Sequence, residues 1–391
     1  MNKGDSMKQF ILFIVLISFI DMFSQLPIMS PFAKSLGATP ALIGMTVGMY
    51  SFSNMFGNII AGLWIDKQGA KKVLIYGLML TGGILLLYTI VTTPKQLVAV
   101  RFIHGLFSGL LVPAAFSLIA NYGKKDRQGK SMAISGVAVG ISAIIGPAFG
   151  GIVASKYRVE WVFIIIAITM LITASMSIFV LKNNSRVVSR KIEPPGSTLM
   201  AILKSPMLII SYAGAFSLMF AQGVLAYMLP LQIDALQFGS HFSGILMSIF
   251  GITAILIFGL PTNKMYDYFE QHHLMMIGMT IIGIALVLLS MASSLPFLFL
   301  CMIIYGAGFA LLFPSISAML VKNTDEVSRG KAFGLFYAFF SLGVVAGSAL
   351  TGVLAVSFGI GFLIAASILF MNTLGTLYYF KTRTVTKESL E

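Results

Sequence analysis

Apolar runs of about 20 residues recur along the whole of this 391-residue chain. Each is long enough to cross the ~30 Å hydrocarbon core of a bilayer as a helix. Hydrophobic residues make up 58% of the chain and charged residues only 10%, too few to cover the surface of a soluble protein of this size. Gly and Pro fall inside the runs, as they commonly do in membrane helices. Twelve spans are expected, at roughly 9–32, 41–64, 72–92, 96–121, 131–155, 160–181, 206–232, 242–263, 273–293, 296–321, 331–357 and 359–380. The reading is an all-α integral membrane protein with no separate soluble domain. Its first apolar run is too long for the core of a signal peptide and has no small-residue cleavage site, so it is expected to be retained as a span.

The connections are short except for 182–205, which carries Asn183, Asn184, Ser185 and the Pro194-Pro195-Gly196 break. A polar linker of this kind separates 1–181 from 206–391, six spans on each side. Of the 26 Lys and Arg, 21 lie on the side that holds both termini and this linker. Four lie on the other side (Lys34, Lys95, Lys156, Arg158), and Arg101 lies inside a span. The positive-inside rule then makes both termini cytoplasmic. The same distribution accounts for the net charge of +13 without nucleic acid, since the basic residues cluster in short loops on one side.

The halves repeat. Shifting the chain by 201 residues superposes Gly105 on Gly306, Pro113 on Pro314, Gly146 on Gly347 and Asp66 on Asp267 without a gap. Parallel six-span repeats predict two pseudo-symmetric bundles, a substrate site at the midplane between them, and rocking for alternating access. Cys301 is the only cysteine, so neither an intramolecular disulfide nor a Cys-rich metal site is expected. The four histidines have no zinc-type spacing, and the adjacent His272 and His273 read as surface structure. No cofactor or metal is implied.

Three local patterns carry a family resemblance. The loop after the second span reads GLWIDKQGAKK, with Gly62, Asp66, Lys67, Gly69 and Lys71 at the positions of a Gly-x-Leu-Ala-Asp-Arg-x-Gly-Arg-Lys signature, from which Trp64, Ile65 and Ala70 depart. Span 5 reads GVAVGISAIIGPAFGG, with Gly136, Gly140, Gly146, Pro147, Gly150 and Gly151 as its small or bent positions. Span 4 opens RFIHG, close to an Arg-x-x-Gln-Gly pattern with His104 in place of Gln. With these motifs the chain resembles the major facilitator superfamily over essentially its whole length, and its twelve-span drug:proton antiporters in particular. Pro27 and Pro31 in span 1 are similar to the paired prolines of that branch. The resemblance implies a conformational latch in the first loop, proton coupling at span 4, and export rather than import from the span 5 motif. Physically, Gly62 and Gly69 permit close packing and a tight turn, Asp66 suits a helix N-terminus, and Pro147 bends its helix.

Of the 13 acidic residues, all but Asp21 fall in a loop, a tail or at a span edge. A charge in mid-membrane costs several kcal/mol and marks function by default. Burial favours the protonated acid and a nearby cation favours the carboxylate, so a residue poised between the two is switchable. Arg101 and His104 are the titratable or basic partners within spans; they share a helix face with Ser108. At 1.5 Å per residue, His104 and Asp21 lie at similar depths, ~12 and ~15 Å from the outer end. The hypothesis is that Asp21 carries the proton, Arg101 biases it, and His104 tunes or relays; a helix-packing role for His104 stays open.

Substrate contacts are expected from Gln25 on span 1, Gln222 and Tyr227 on span 7, and Tyr305 on span 10, in spans rich in the chain's 32 Phe and 24 Met. Met- and Phe-lined walls repack around varied amphipathic ligands, although such residues are also ordinary membrane-helix composition. The leading reading is a monomeric, proton-coupled exporter of amphipathic or drug-like small molecules in a bacterial plasma (inner) membrane. Export of one dedicated metabolite, such as a metallophore, sugar or amino-acid derivative, is a second reading. Proton-driven uptake is a third. An enzyme is disfavoured, because no nucleophile–base set, metal cluster or phosphate loop is present.

Overall fold

In hydrocarbon every backbone N–H and C=O must be satisfied within the chain, and helices do this locally. The computed structural model describes residues 3–122, 128–181, 202, 204–259, 268–324 and 329–388, and among these there is no strand. The helices are α1 (Lys3–Ser24), α2 (Met29–Ser35), α3 (Pro40–Gln68), α4 (Ala70–Leu87), α5 (Pro94–Ser108), α6 (Leu111–Tyr122), α7 (Gln128–Lys156) and α8 (Val159–Val180). They continue with α9 (Pro206–Ala235), α10 (His241–Gly259), α11 (Gln271–Met291), α12 (Leu295–Lys322), α13 (Arg329–Val353) and α14 (Phe358–Glu388). A 3-10 turn, Tyr88–Ile90, closes α4.

Ten of the expected spans are helical segments long and apolar enough to cross a membrane. Span 8 is the shorter apolar stretch His241–Ile257. Span 2 is α3, whose 29 residues are ample in length but include Asn54 and Asn58, which bond one another at 2.9 Å. The linker expected at 182–205 lies almost wholly outside the described residues, as does Asp267.

Helix starts follow local sequence signals. Thr39 caps α3 ahead of Pro40, and Thr93 forms a reciprocal capping box with Gln96 ahead of Pro94 on α5. The 201-residue shift also aligns helix starts: Pro40 with His241, Ala70 with Gln271, Pro94 with Leu295 and Gln128 with Arg329. Two differences between the halves are helix breaks. Span 1 breaks at residues 25–28 between α1 and α2, and span 4 breaks at Gly109–Leu110 between α5 and α6. Their repeat partners α9 and α12 run unbroken through Pro230 and Pro314.

Contacts divide the chain into one unit of Met1–Lys191 with Leu229–Ser248 and another of Ile192–Met228 with Ile249–Glu391. Residues 229–248 join the first unit through identifiable contacts. Gly244 lies against the Pro147 carbonyl and Gly151, and Ser248 Oγ donates to the Ile144 carbonyl at 2.6 Å. Lys34 and Asp234 form an exposed ion pair at 2.5 Å. They occupy matching places in two helix ends of the same form: Gly37 N donates to Lys34 O, and Gln237 N to Asp234 O, both at 3.0 Å.

Within the first unit, α1 packs on α7 and α3 on α5. Both contacts are set by glycine. A Cβ on Gly150 or Gly146 would strike the Phe23–Ser24 backbone or side chain of α1, and one on Gly105 would overlap the Tyr50 carbonyl of α3. The second unit repeats the first of these, with Gly347 against Phe220 of α9.

Candidate functional site

Among the described residues, buried charge sits on the two helices that end at the breaks of spans 1 and 4. Asp21 sits one turn before the end of α1, and Gln25 is the first residue of the break. Arg101 and His104 occupy the last two turns of α5. The glycine contact between α3 and α5 brings α5 close enough for Arg101 to reach main-chain carbonyls of α3. Its Nε donates to Thr46 O at 3.0 Å and its Nη2 to Val47 O at 3.3 Å. Its Nη1 donates to Gln25 Oε1. The guanidinium also lies over the Tyr50 ring, 4.8 Å from the centroid.

Asp21 is fully buried, and both carboxylate oxygens are engaged. Oδ1 accepts from Gln25 Nε2 at 2.7 Å. Oδ2 pairs with His104 Nε2 at 3.1 Å. The other imidazole nitrogen, Nδ1, lies 3.0 Å from the Tyr88 hydroxyl. Tyr88 is held by a face-to-face stack on Phe163 of α8, with centroids 4.1 Å apart. Tyr50 stands edge-on to His104 and bonds Ser108 at 2.7 Å. Among the described residues, Asp21, Arg101 and His104 are the buried members of the charged and histidine side chains.

With His104 neutral, Asp21 and Arg101 offset one another through the Gln25 amide. Removing one partner of a buried pair leaves an uncompensated charge, at a cost of about 3–5 kcal/mol. The sequence brings together Asp21, Arg101 and His104 by their charge alone. It gives no such signal for Tyr88, one of 13 tyrosines, or for the Thr46 and Val47 carbonyls. Gln25, expected at a substrate cavity, is 1% exposed, and its amide is committed at both ends within the network.

The other expected contacts lie in the second unit. Tyr305 OH donates to Gln222 Oε1 at 3.2 Å, and Tyr305 stands edge-on to Phe250. The 201-residue shift carries Asp21 onto Gln222 and His104 onto Tyr305. One inter-helix contact is thus built twice, ionisable in the first half and neutral in the second. Tyr227 is buried on the same helix as Gln222.

In the loop after α3, Gly69 has φ 83° and ψ 150°, a conformation open essentially to glycine alone, and it both ends α3 and starts α4. Lys71 Nζ donates to the Ile178 carbonyl at the end of α8. Trp64, a departure from the loop signature, stacks on Tyr76 at 5.8 Å. Gly62, Asp66 and Lys67 are exposed on the last turns of α3. In α7, Gly146 and Gly150 face α1 just beyond Asp21, and Gly151 faces Gly244. Gly136 and Gly140 lie earlier on the same helix. Glu270, His272 and His273 draw together at the start of α11, where Glu270 pairs with His272 at 3.1 Å. Lys322 lies near enough to repel a cation there.

The family model for the Major Facilitator Superfamily matches residues 11–234 and 211–391. An uncharacterized MFS-type transporter of Methanocaldococcus jannaschii is 28% identical over 91% of this chain and 92% of its own length. The multi-drug resistance efflux pump PmrA of Streptococcus pneumoniae is 26% identical, over 85% of each chain. The multidrug resistance protein MdtG of Escherichia coli is 23% identical over 89% of this chain and 88% of its own. Among solved structures, the nucleoside transporter NupG superposes with a TM-score of 0.79 at 19% identity, covering 97% of this chain and 100% of that one. A bacterial homolog of the lysosomal transporter Spinster gives 0.78 at 14% identity, covering 96% and 98%.

Proposed function

The chain belongs to the major facilitator superfamily, and from that premise we propose that this multi-pass membrane transporter is a proton-coupled antiporter exporting amphipathic or drug-like small molecules by alternating access. The observation that carries the reading is the buried Asp21–His104 pair at 3.1 Å, beside Arg101, at the breaks of spans 1 and 4. Discontinuous membrane helices commonly carry coupling-ion sites. A fully buried acid bonded to an imidazole has a second site beside it for a transferred proton, and the Gln25 amide links it to the Arg101 guanidinium. The efflux pumps among the relatives support the class of cargo and the outward direction.

The working arrangement is a monomer of two six-helix bundles, 1–181 and 206–391, joined by a linker at 182–205. It sits in the plasma (inner) membrane with both termini cytoplasmic. With one acid buried among the described residues, the cycle moves one proton. The drive is ~2.3 kcal/mol per 100 mV of potential and ~1.4 kcal/mol per pH unit. The Gly146–Gly150 face of α7 on α1 gives a route from Asp21 to helix movement, since it grips the α1 backbone at Phe23 and Ser24.

The test is uphill ethidium export in everted vesicles. Asp21→Asn is expected to abolish accumulation against a gradient while leaving ethidium binding measurable. Uphill export retained in Asp21→Asn would overturn the assignment.

A further inference from the structure

His104 has a carboxylate on one ring nitrogen and a hydroxyl on the other, and these partners differ in kind. An ionised carboxylate only accepts, whereas a tyrosine hydroxyl both donates and accepts. With the site unloaded, Nε2–H donates to Asp21 Oδ2, and Nδ1 is a bare lone pair that accepts from Tyr88 O–H. With one proton added, and with Oδ1 still accepting from Gln25 Nε2, two arrangements are possible. Either the imidazolium donates from both nitrogens, or Asp21 carries the proton and donates to Nε2. In both, Nδ1 bears hydrogen and needs an acceptor. Loading the site therefore always turns Nδ1 from acceptor to donor.

Resting on the reading of Asp21 as the proton carrier, we propose that Tyr88 is the positioning residue of this coupling site, its hydroxyl reversing from donor to acceptor as the proton arrives. The geometry supports this at three points. The hydroxyl is 3.0 Å from Nδ1. Its ring is fixed by the Phe163 stack at an interplanar angle of 7°, so the hydroxyl hydrogen is free to rotate while the oxygen stays in place. Tyr88 and His104 are both fully buried, so the contact is closed to bulk solvent.

The repeat supplies the contrast. The position equivalent to Tyr88 is Leu289, also buried, in the half where Tyr305 stands in place of His104. A phenol has one polar atom where imidazole has two, and there the chain carries an aliphatic side chain. The ionisable and charged groups facing His104 and Tyr88 are Asp21 from α1, Tyr50 from α3 and Arg101 from α5. An arginine side chain does not give up its proton in proteins, so the proton added to the site is shared between Asp21 and His104.

The test uses full-length protein in nanodiscs with ¹⁵N-labelled histidine. His104 is assigned by the signal lost in His104→Gln. In the wild type, Nδ1 is expected to gain hydrogen as the pH falls through the coupling transition. Nδ1 in one protonation state throughout would overturn the proposal without any variant. Tyr88→Phe keeps the ring stack and removes only the hydroxyl. It strips a partner from a charged or loaded donor, which costs more than stripping one from a neutral acceptor. The titration midpoint is therefore expected to move about one pH unit toward acid, a tenfold lower affinity for the proton. A purely structural role would lower thermal stability and leave the midpoint in place, and that result would refute the proposal. The parent reading fails separately, through Asp21→Asn vesicles that still export ethidium uphill.

Discussion

Each polar atom of Asp21, Gln25 and Arg101 has a named partner, and this makes the consequences of single substitutions directional. Gln25 is the hinge of the network, because its amide donates to Asp21 and accepts from Arg101. Gln25→Leu keeps most of the volume and leaves both charges short of a bond. The expected loss is about 1–3 kcal/mol, read as a lower melting temperature in detergent. A melting curve unchanged from wild type would show the amide bridge to be dispensable. At this scale the sequence was informative where a residue type was rare. One mid-span acid, one mid-span arginine and one mid-span histidine stood out against apolar neighbours, and the structure brings them together. Tyr88, Tyr50 and the α3 carbonyls did not stand out, since aromatic residues and main-chain oxygens are everywhere in such a chain. Their roles arise only from which helix faces which.

At the scale of elements, helix contact in a membrane relies on close packing, because lipid is as apolar as the side chains it would replace. The span 5 motif puts Gly150 against the α1 main chain, three residues past Asp21, with no room for a methyl group. Gly150→Ala is expected to force α7 and α1 apart. The cost is about 1–3 kcal/mol, with export falling accordingly. Gly62, from the loop motif, has open space around it. Gly62→Ala is therefore expected to leave thermal stability unchanged or slightly raised, since alanine is the better helix former. Equal losses for the two would mean that the α1–α7 approach is not the governing contact. Both glycines were visible as motif members in the sequence. Which one is packed and which is open was not, because a glycine carries no mark of its neighbour. The breaks in spans 1 and 4 were also missed. Pro27 marks the first of them in the sequence and Gly109 the second, but neither residue by itself says that a helix ends, and the backbone shows the interruptions.

For the whole molecule, the informative feature is an asymmetry laid over a repeat. The Asp21–His104 contact in one half has the Gln222–Tyr305 contact as its counterpart in the other. The first joins a carboxyl to an imidazole, whereas the second joins an amide, which does not titrate, to a phenol, whose ordinary pKa is about 10. Substitutions in the second contact are thus expected to change apparent ethidium affinity and leave the pH profile of export in place. Tyr305→Phe and Gln222→Ala, assayed across pH in vesicles, check this. A shift in the pH profile as large as the one expected for Tyr88→Phe would place proton coupling in both halves.

The sequence by itself determined the class of protein. Span length, loop charge and the 201-residue repeat are each one-dimensional, so a chain that must satisfy its backbone in hydrocarbon reveals them without coordinates. It also determined which side chains were too costly to bury without purpose. How those charges are compensated is a matter of packing. That depends on glycine contacts that draw α3 and α5 together, and on a tyrosine and main-chain oxygens brought in from helices distant in sequence. Hydrogen bonds are directional and reach about 3 Å, so they are fixed by packing and leave no pattern along the chain.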